Sequence, residues 1–86
     1  MQSEYPGFNN EIDLHKLTVD EAIPLVHEFL CQAHMAGLSE VRIIHGKGTG
    51  TLRQAVRREL RLHPLVKDFR DGNRFEGSTG ATVVQL

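Results

Sequence analysis

One stretch of the sequence constrains the fold more than any other: IIHGKGTGTLRQAV, residues 43–56. A β-branched apolar run passes through a histidine into a turn in which three of five positions, 46 to 50, are glycine, and an amphipathic pattern follows at once. Glycine permits positive φ and lets an anion approach the backbone amides closely. The helix that follows presents unpaired N–H groups and the positive end of its dipole to the turn. The stretch therefore predicts a strand, a phosphate-binding turn and a helix.

The remaining periodicities predict the first half of the fold. Residues 11–15 alternate between apolar and polar, which is typical of a short strand. Thr18 and Glu21 form a capping-box pattern that begins a helix running to about Ala36, where Gly37 provides the stop. Its apolar stripe is predicted to consist of Ala22, Leu25, Val26, Phe29, Leu30 and Ala33. Pro24 is expected to kink this helix, and Cys31 lies opposite the stripe, which predicts a solvent-facing thiol.

The second half completes a β-α-β-α-β-β order. Val41–His45 is expected to be a central strand buried on both faces, and the second helix ends near Leu62, before Pro64. Residues 65–72 predict a third strand and Thr82–Leu86 a fourth. The predicted fold class is α/β (α+β), a two-layer sandwich with a four-stranded mixed sheet.

Length and composition indicate one small domain. Residues 11–86 carry the predicted elements, and residues 1–10 predict an irregular lead-in or linker end whose Tyr5 and Phe8 could contact the core. No apolar run approaches the roughly 20 residues that span a bilayer, so no membrane partner is expected. The single cysteine excludes an internal disulfide and suits a cytoplasmic location.

The net charge of −1 conceals a strong asymmetry along the chain. Residues 1–40 contain seven acidic residues and one lysine, whereas residues 41–63 contain six Lys or Arg and one glutamate. Such asymmetry predicts a surface that faces a polyanion. Arginines that only decorate a solvated helix would give the same count, so charge alone leaves both readings open.

Three side chains that could transfer protons lie at or near the ends of the first two predicted strands, which end at His15 and His45. If those strands are parallel, His15 and His45 lie at the same carboxyl edge of the sheet, where open α/β folds bind ligands. Asp13 shares a strand face with His15 because a strand has a period of two. One carboxylate and two imidazoles suit proton transfer near neutral pH. Either histidine alone is more often a satisfied strand-end residue.

The basic residues extend the predicted phosphate site beyond the turn. Lys47 lies within the turn, and Arg53, Arg57 and Arg61 recur every four residues along the second helix. The spacing fits neither a Walker A loop nor a dinucleotide fingerprint. The backbone of a nucleic acid fits better than a mononucleotide, because the basic stripe is longer than one phosphate. A second glycine turn, Gly77–Gly80, could lie beside the first.

Three ordered motifs resemble the Smr (small MutS-related) domain family. They are DLHKLTVDEA (13–22), HGKGTGTLRQAV (45–56) and GSTGATVVQL (77–86), so the resemblance covers residues 11–86. The sequence IIHGKGTGTLR, followed by HPLVKDFR, is most similar to the C-terminal Smr domain of the second type of bacterial MutS homologue. In two places the chain departs from the pattern: Lys16 replaces the usual glycine, and the closing glycine pair is reduced to Gly77-Ser78.

The resemblance implies a fold, an activity and partners. The fold would be like the C-terminal domain of translation initiation factor three. The activity would be DNA nicking or RNA cleavage, and the partners would be DNA or RNA and covalently attached upstream MutS-like ATPase domains, with the ribosome as a further candidate. The implied catalytic residues are Asp13, His15 and His45. The expected phosphate-binding residues are Lys16, Gly46, Lys47, Gly48, Thr49, Gly50, Arg53 and Arg57.

Three functions remain open at this point. A phosphodiesterase would use one histidine as base and the other as acid, with Asp13 orienting an imidazole. On RNA the 2′-hydroxyl could attack, whereas an attacking water on DNA would need a cation such as Mg²⁺ or Mn²⁺ held by Asp13. The alternatives are a non-catalytic module that docks onto branched DNA, RNA or the ribosome, and a protein-interaction domain that uses the first helix.

Overall fold

The computed structural model describes residues 10–86. The predicted contacts of Tyr5 and Phe8 lie outside the described residues. In chain order the elements are β1 Glu11–Asp13, α1 Val19–Met35, β2 Glu40–Ile44, α2 Thr51–Leu62, β3 Asp68–Asp71, a 3-10 turn Ser78–Gly80 and β4 Ala81–Gln85. The predicted β-α-β-α-β-β order is therefore confirmed.

The four strands form one mixed sheet in the order β1-β2-β4-β3. β1 and β2 are parallel, with Asp13 opposite Ile44, whereas β4 is antiparallel to both β2 and β3. The two helices pack against each other, and the core cluster joins α1 and α2 to the central strands. This is the expected two-layer sandwich, and it brings the ends of β1 and β2 to one edge.

The helix signals in the sequence are confirmed at both ends. Thr18 and Glu21 exchange the two hydrogen bonds of a capping box at the start of α1. Gly37 follows the helix with a φ of +80°, as a C-terminal stop requires. Pro24 lies inside α1 without ending it, and α2 ends at Leu62, as predicted.

β2 and β4 are each displaced by one residue from their predicted bounds, and two strand boundaries differ by two residues or more for local reasons. β1 ends at Asp13 rather than at residue 15, because the Asp13 carboxylate accepts the backbone N–H of His15 and turns the chain. β3 begins at Asp68 rather than at residue 65, because the Val66 amide donates to the His63 carbonyl in a turn. Residues 65–66 instead pack against the core.

Three burial predictions also need correction. β2 is central in the sheet, but Arg42 and Ile44 are only half-buried, so one of its faces remains partly open. Leu25, assigned to the apolar stripe of α1, is 41% exposed. Cys31 is half-buried rather than fully solvent-facing. No helix within residues 10–86 is long and apolar enough to cross a membrane.

Candidate nucleic-acid interface and catalytic edge

The parallel pairing of β1 and β2 places the two predicted histidines at one edge of the sheet. His15 follows β1 by two residues, and His45 follows β2 directly. A Cβ added to Gly46 would lie 3.3 Å from the Cβ of His15, so His15 packs directly against the glycine turn. Gly46 also has a φ of +81°, so glycine suits this position for two reasons.

Asp13 and His15 form a hydrogen-bonded pair on the surface of this edge. The Nδ1 of His15 lies 2.5 Å from Oδ1 of Asp13, and the same oxygen accepts the His15 backbone N–H at 3.0 Å. Both side chains are about half exposed, at 53% for Asp13 and 51% for His15. The bonds from His15 hold the pKa of the Asp13 carboxyl below its usual value. A carboxylate can only accept, so Nδ1 carries the proton, and Nε2 bonds no other side chain or backbone group among residues 10–86.

His45 occupies a very different environment at the same edge. It is 4% exposed, its Nδ1 lies 3.0 Å from the Gly46 carbonyl, and its Nε2 lies 2.9 Å from the Thr82 hydroxyl. The carbonyl can only accept, so Nδ1 donates and Nε2 accepts from Thr82. Burial lowers the pKa of His45 and favours the neutral ring. Both ring nitrogens are therefore used inside the protein.

The glycine turn contains a row of backbone N–H groups that have no acceptor among residues 10–86. Gly46, Gly48 and Gly50 all have positive φ. The amides of residues 47–50 donate to no acceptor within the described part of the chain. Gly50 is the N-cap of α2 and has no side chain to cap the helix, so the helix dipole adds to the field at the turn. These features are those of an anion site.

The turn forms one wall of a cleft of about 260 Å³. Residues 16–19, which lead from β1 into α1, form the other wall. Lys16 and Lys47 are exposed and make no ion pair with any residue from 10 to 86. No carboxylate lines the cleft. The two lysines therefore give the cleft positive charge that no carboxylate among residues 10–86 neutralises.

The second glycine turn lies beside the first, as predicted. The Gly80 carbonyl accepts the N–H groups of both His45 and Gly46 at 3.0 Å. A Cβ on Gly80 would lie 3.3 Å from Cγ of Lys47. The close approach of these two backbones fixes the first turn in place, which a side chain at position 80 would oppose.

The arginine stripe is present but partly neutralised. Arg53 and Arg57 both donate to Oδ1 of Asp71, at 2.7 and 3.0 Å, and the Arg53 bond lowers the pKa of Asp71. Arg53 also lines the cleft, and its buried Nε has no hydrogen-bond partner among residues 10–86. Arg57 lies over the Phe69 ring at 4.8 Å. Arg58 and Arg61 join them around a second, basic groove.

The donor set does not fit a dedicated divalent cation. Mg²⁺ and Mn²⁺ prefer several oxygen ligands, but the cleft lining contains no Asp or Glu, and one oxygen of Asp13 is already occupied by His15. Asp13 alone offers too few oxygens within the described chain.

Sequence reasoning missed two residues that shape the site. Thr82 holds His45 from the neighbouring strand, and Asp71 holds two arginines from β3. Thr82 lies in an ordinary β-branched run and Asp71 in a turn-like DG pair, so neither pattern signals a role. Of the predicted residues, the structure brings Lys16, His45, residues 46–50 and Arg53 into one cleft. His15, which bonds Asp13, adjoins the cleft through its contact with Gly46, and Arg57 lies on the adjoining groove.

Comparison with protein families agrees with the motifs. The model of the Smr domain family matches residues 12–86. Endonuclease MutS2 of Caldicellulosiruptor bescii is 57% identical over 75 residues, and Endonuclease MutS2 of Pelotomaculum thermopropionicum is 53% identical over 76. These alignments cover 87% and 88% of this chain but 10% of each relative, so the chain spans about a tenth of their length.

Solved structures agree with the fold. The Smr domain of Thermus thermophilus MutS2 superposes with a TM-score of 0.87 at 49% identity, covering 91% of this chain and 98% of that one. YdaL, a stand-alone small MutS-related protein from Escherichia coli, gives a TM-score of 0.86 at 31% identity, with coverages of 90% and 63%.

Proposed function

The chain belongs to the Smr domain family, and from that premise we propose that it binds nucleic acid in the cleft and cleaves a phosphodiester bond there. One observation carries this proposal: His15, bonded to Asp13, packs against Gly46 at the start of a turn in which the amides of residues 47–50 have no acceptor among residues 10–86. A base and an anion site thus adjoin each other.

Binding follows from charge and from free donors. The cleft is surrounded by the amides of residues 47–50, the N-terminus of α2, Lys16 and Lys47. The arginine groove continues from the cleft along α2. A nucleic-acid backbone can follow this path with successive phosphates, whereas a single phosphate would use only the cleft. Such binding should weaken steeply with salt, because counterions are released.

An exposed aromatic ring supports an unpaired substrate. Phe75 is 83% exposed in the segment before the second glycine turn, and the Arg74 guanidinium lies 5.1 Å from its ring centre. Aromatic rings beside cationic side chains stack on unpaired bases at about 1–3 kcal/mol per base. Gly80, five residues later, contacts the phosphate-binding turn.

Phe75→Trp would place an indole in a chain without tryptophan, so fluorescence quenching by an oligonucleotide would report stacking.

In the proposed cleavage reaction, the side chains and the turn amides have different roles. His15 accepts the proton of the nucleophile at Nε2, and Asp13 fixes the tautomer and stabilises the imidazolium that forms. Lys47 and the turn amides offset the charge that develops on the phosphate. On RNA the 2′-hydroxyl is an internal nucleophile, so this scheme favours RNA over DNA. The leaving oxygen then takes a proton from the imidazolium or from water.

His45 takes a positioning role in this proposal rather than that of the second acid or base. Its ring is buried and bonded at both nitrogens, one of them to the carbonyl of Gly46. It therefore holds the phosphate-binding turn to β4 through Thr82. Of the three residues predicted to be catalytic, Asp13 and His15 therefore retain that role in the proposal. His45 is instead assigned the role of positioning the phosphate-binding turn.

A non-catalytic docking module is the second candidate. The observation in its favour is that a single exposed imidazole faces the cleft edge, while Asp71 already occupies Arg53 and Arg57. In a larger MutS2-like protein, such a module would deliver attached ATPase domains to DNA or RNA. It would show the binding described above without strand scission.

Cleavage of labelled substrates separates the two. The 86-residue chain is incubated with single-stranded RNA, single-stranded DNA and branched DNA, with and without chelator. We expect RNA cleavage that survives chelator, leaves 2′,3′-cyclic phosphate ends and is lost in His15→Ala. His34→Ala, which alters an exposed histidine at the far end of α1, is the matched control. Undiminished cutting by His15→Ala would contradict the catalytic role, and binding without cutting would favour the docking module.

A further inference from the structure

Three metal-binding side chains meet where α1 packs against the end of α2, apart from the cleft residues. His27 and Cys31 lie one turn apart on α1, and His63 is the C-cap of α2. One ligand atom from each lies within 4.8 Å of the others. Within residues 10–86 no other group of three His, Cys, Asp or Glu side chains converges in this way.

The imidazoles of the two helices face each other nitrogen to nitrogen. Nδ1 of His27 lies 3.0 Å from Nε2 of His63, and Sγ of Cys31 lies 3.8 Å from Nε2 of His27. Two nitrogens that share a tetrahedral Zn²⁺ at about 2.0–2.1 Å are separated by roughly 3.3 Å. The rings would therefore need to separate by only a few tenths of an ångström.

One ring nitrogen of His27 can bind the ion, and Nδ1 already faces His63. With Nδ1 as the ligand, the Cys31 thiol must turn from its contact with Nε2, at 3.8 Å, toward Nδ1 of the same ring. Cys31 is half-buried and His27 is exposed, so an ion has access from solvent. A fourth position would be left for water.

His63 is prepared for a ligand role by its burial. It is 6% exposed, and its Nε2 lies 3.0 Å from Nδ1 of His27 rather than in solvent. Its Nδ1 accepts the backbone N–H of Leu65 at 3.2 Å, which places the proton of the metal-free ring on Nε2. An ion at Nε2 would move that proton to Nδ1 and break the Leu65 bond. Loss of this hydrogen bond should change the NMR resonance of the Leu65 amide when an ion binds.

We propose that His27, Cys31 and His63 bind one Zn²⁺ or chemically similar ion that links α1 to the end of α2. Two imidazoles and a thiolate select borderline and soft ions such as Zn²⁺ and Co²⁺ over Mg²⁺. The thiol proton is released to solvent as the thiolate binds. None of the three residues lines the cleft, so the site is independent of the proposed cleavage.

Titration of the 86-residue chain with Co²⁺ tests the site. We expect one ion per chain, a thiolate-to-cobalt charge-transfer band in the near ultraviolet and the intense visible bands of four-coordinate cobalt, all removed by added Zn²⁺. Cys31→Ser should abolish the charge-transfer band, and His27→Ala or His63→Ala should weaken binding at least tenfold. The Leu65 amide resonance should shift when Zn²⁺ binds.

His34→Ala is the matched control, because His34 is an exposed histidine on the same helix outside the cluster. It should leave the cobalt spectrum and stoichiometry unchanged. Circular dichroism of each variant without metal shows that it remains folded, and Cys31→Ser keeps the test valid if a histidine variant does not fold. A spectrum unaffected by Cys31→Ser, the absence of a charge-transfer band, or one ion per two chains would overturn the proposal.

Discussion

The two histidines at the carboxyl edge of the sheet follow equivalent strands but have opposite surroundings. His15 is half exposed, is oriented through Nδ1 by Asp13 and leaves Nε2 open. His45 is 4% exposed and bonds the Gly46 carbonyl and the Thr82 hydroxyl. The difference arises because β1 is an edge strand, whereas β2 lies between β1 and β4. Strand position thus separates an exposed imidazole from a buried one.

Replacing His15 should have the largest effect on activity. His15→Ala should lower the cleavage rate by about 10²–10⁴-fold, the usual contribution of a positioned general base. The side chain is exposed, so the free energy of unfolding should hardly change. Single-turnover cleavage of labelled RNA measures the rate, and an equal loss in His34→Ala would show that the effect is not specific to the site.

Replacing His45 should mainly affect stability. His45→Ala leaves the Thr82 hydroxyl and the Gly46 carbonyl without their partner, which should cost about 1–3 kcal/mol in the free energy of unfolding. Urea denaturation measures this cost. Thr82→Val, which removes one of the two bonds, should cost less. If His45→Ala unfolds like the wild type but no longer cleaves, the positioning role assigned here is wrong.

The buried histidines also predict a pH dependence of stability. The pKa values of His45 and His63 are both lowered from 6.5 by burial. The unfolded chain therefore takes up protons that the folded chain does not, and stability falls as the pH drops through 6.5 toward the folded values. Denaturation at about pH 7.5 and 5.5 should show this loss in both wild type and His15→Ala. Equal stability at the two values would contradict the neutral buried rings.

Releasing the arginines should strengthen binding. Asp71→Asn removes the carboxylate that holds Arg53 and Arg57, so the slope of log affinity against log salt should steepen by about one. Fluorescence anisotropy with a labelled oligonucleotide measures the slope. Asp68→Asn is the control, because Asp68 lies on the same strand and accepts the Phe69 amide rather than an arginine. If the salt slope of Asp71→Asn equals that of Asp68→Asn, Asp71 does not compete with phosphate for the arginines.

The smallest effect concerns Lys16, which has a φ of +73° that favours glycine. Lys16→Gly should raise the free energy of unfolding by up to about 1 kcal/mol, because relief of strain exceeds the entropy cost of glycine. It should also reduce the salt slope by about one if Lys16 contacts phosphate. Lys16→Ala removes the same charge but keeps the strained backbone. Stabilisation by both variants would point to charge rather than to φ.

Sequence patterns predicted the fold well because they report local physics. The capping box at Thr18, the glycine stop at Gly37 and the apolar stripe of α2 each depend on neighbours within a few residues. The parallel pairing of β1 and β2 then placed both histidines at one edge, as the β-α-β order requires.

The state of each site residue could not be predicted in the same way. His45 is buried because β4 lies against β2, and Thr82 and Asp71 reach the site from strands late in the chain. These contacts depend on register between segments separated by tens of residues, which periodicity does not encode. The cluster of His27, Cys31 and His63 was missed for the same reason, since it joins two helices.

Nitrogen NMR of histidine-labelled protein tests the central distinction most directly. Long-range ¹H–¹⁵N spectra would be recorded with and without an oligonucleotide that resists cleavage. We predict that both rings carry their proton on Nδ1. The Nε2 resonance of His15 should shift when the oligonucleotide binds, and both nitrogen resonances of His45 should remain unchanged. A shift confined to His45, with His15 unchanged, would contradict the division of labour between the two histidines.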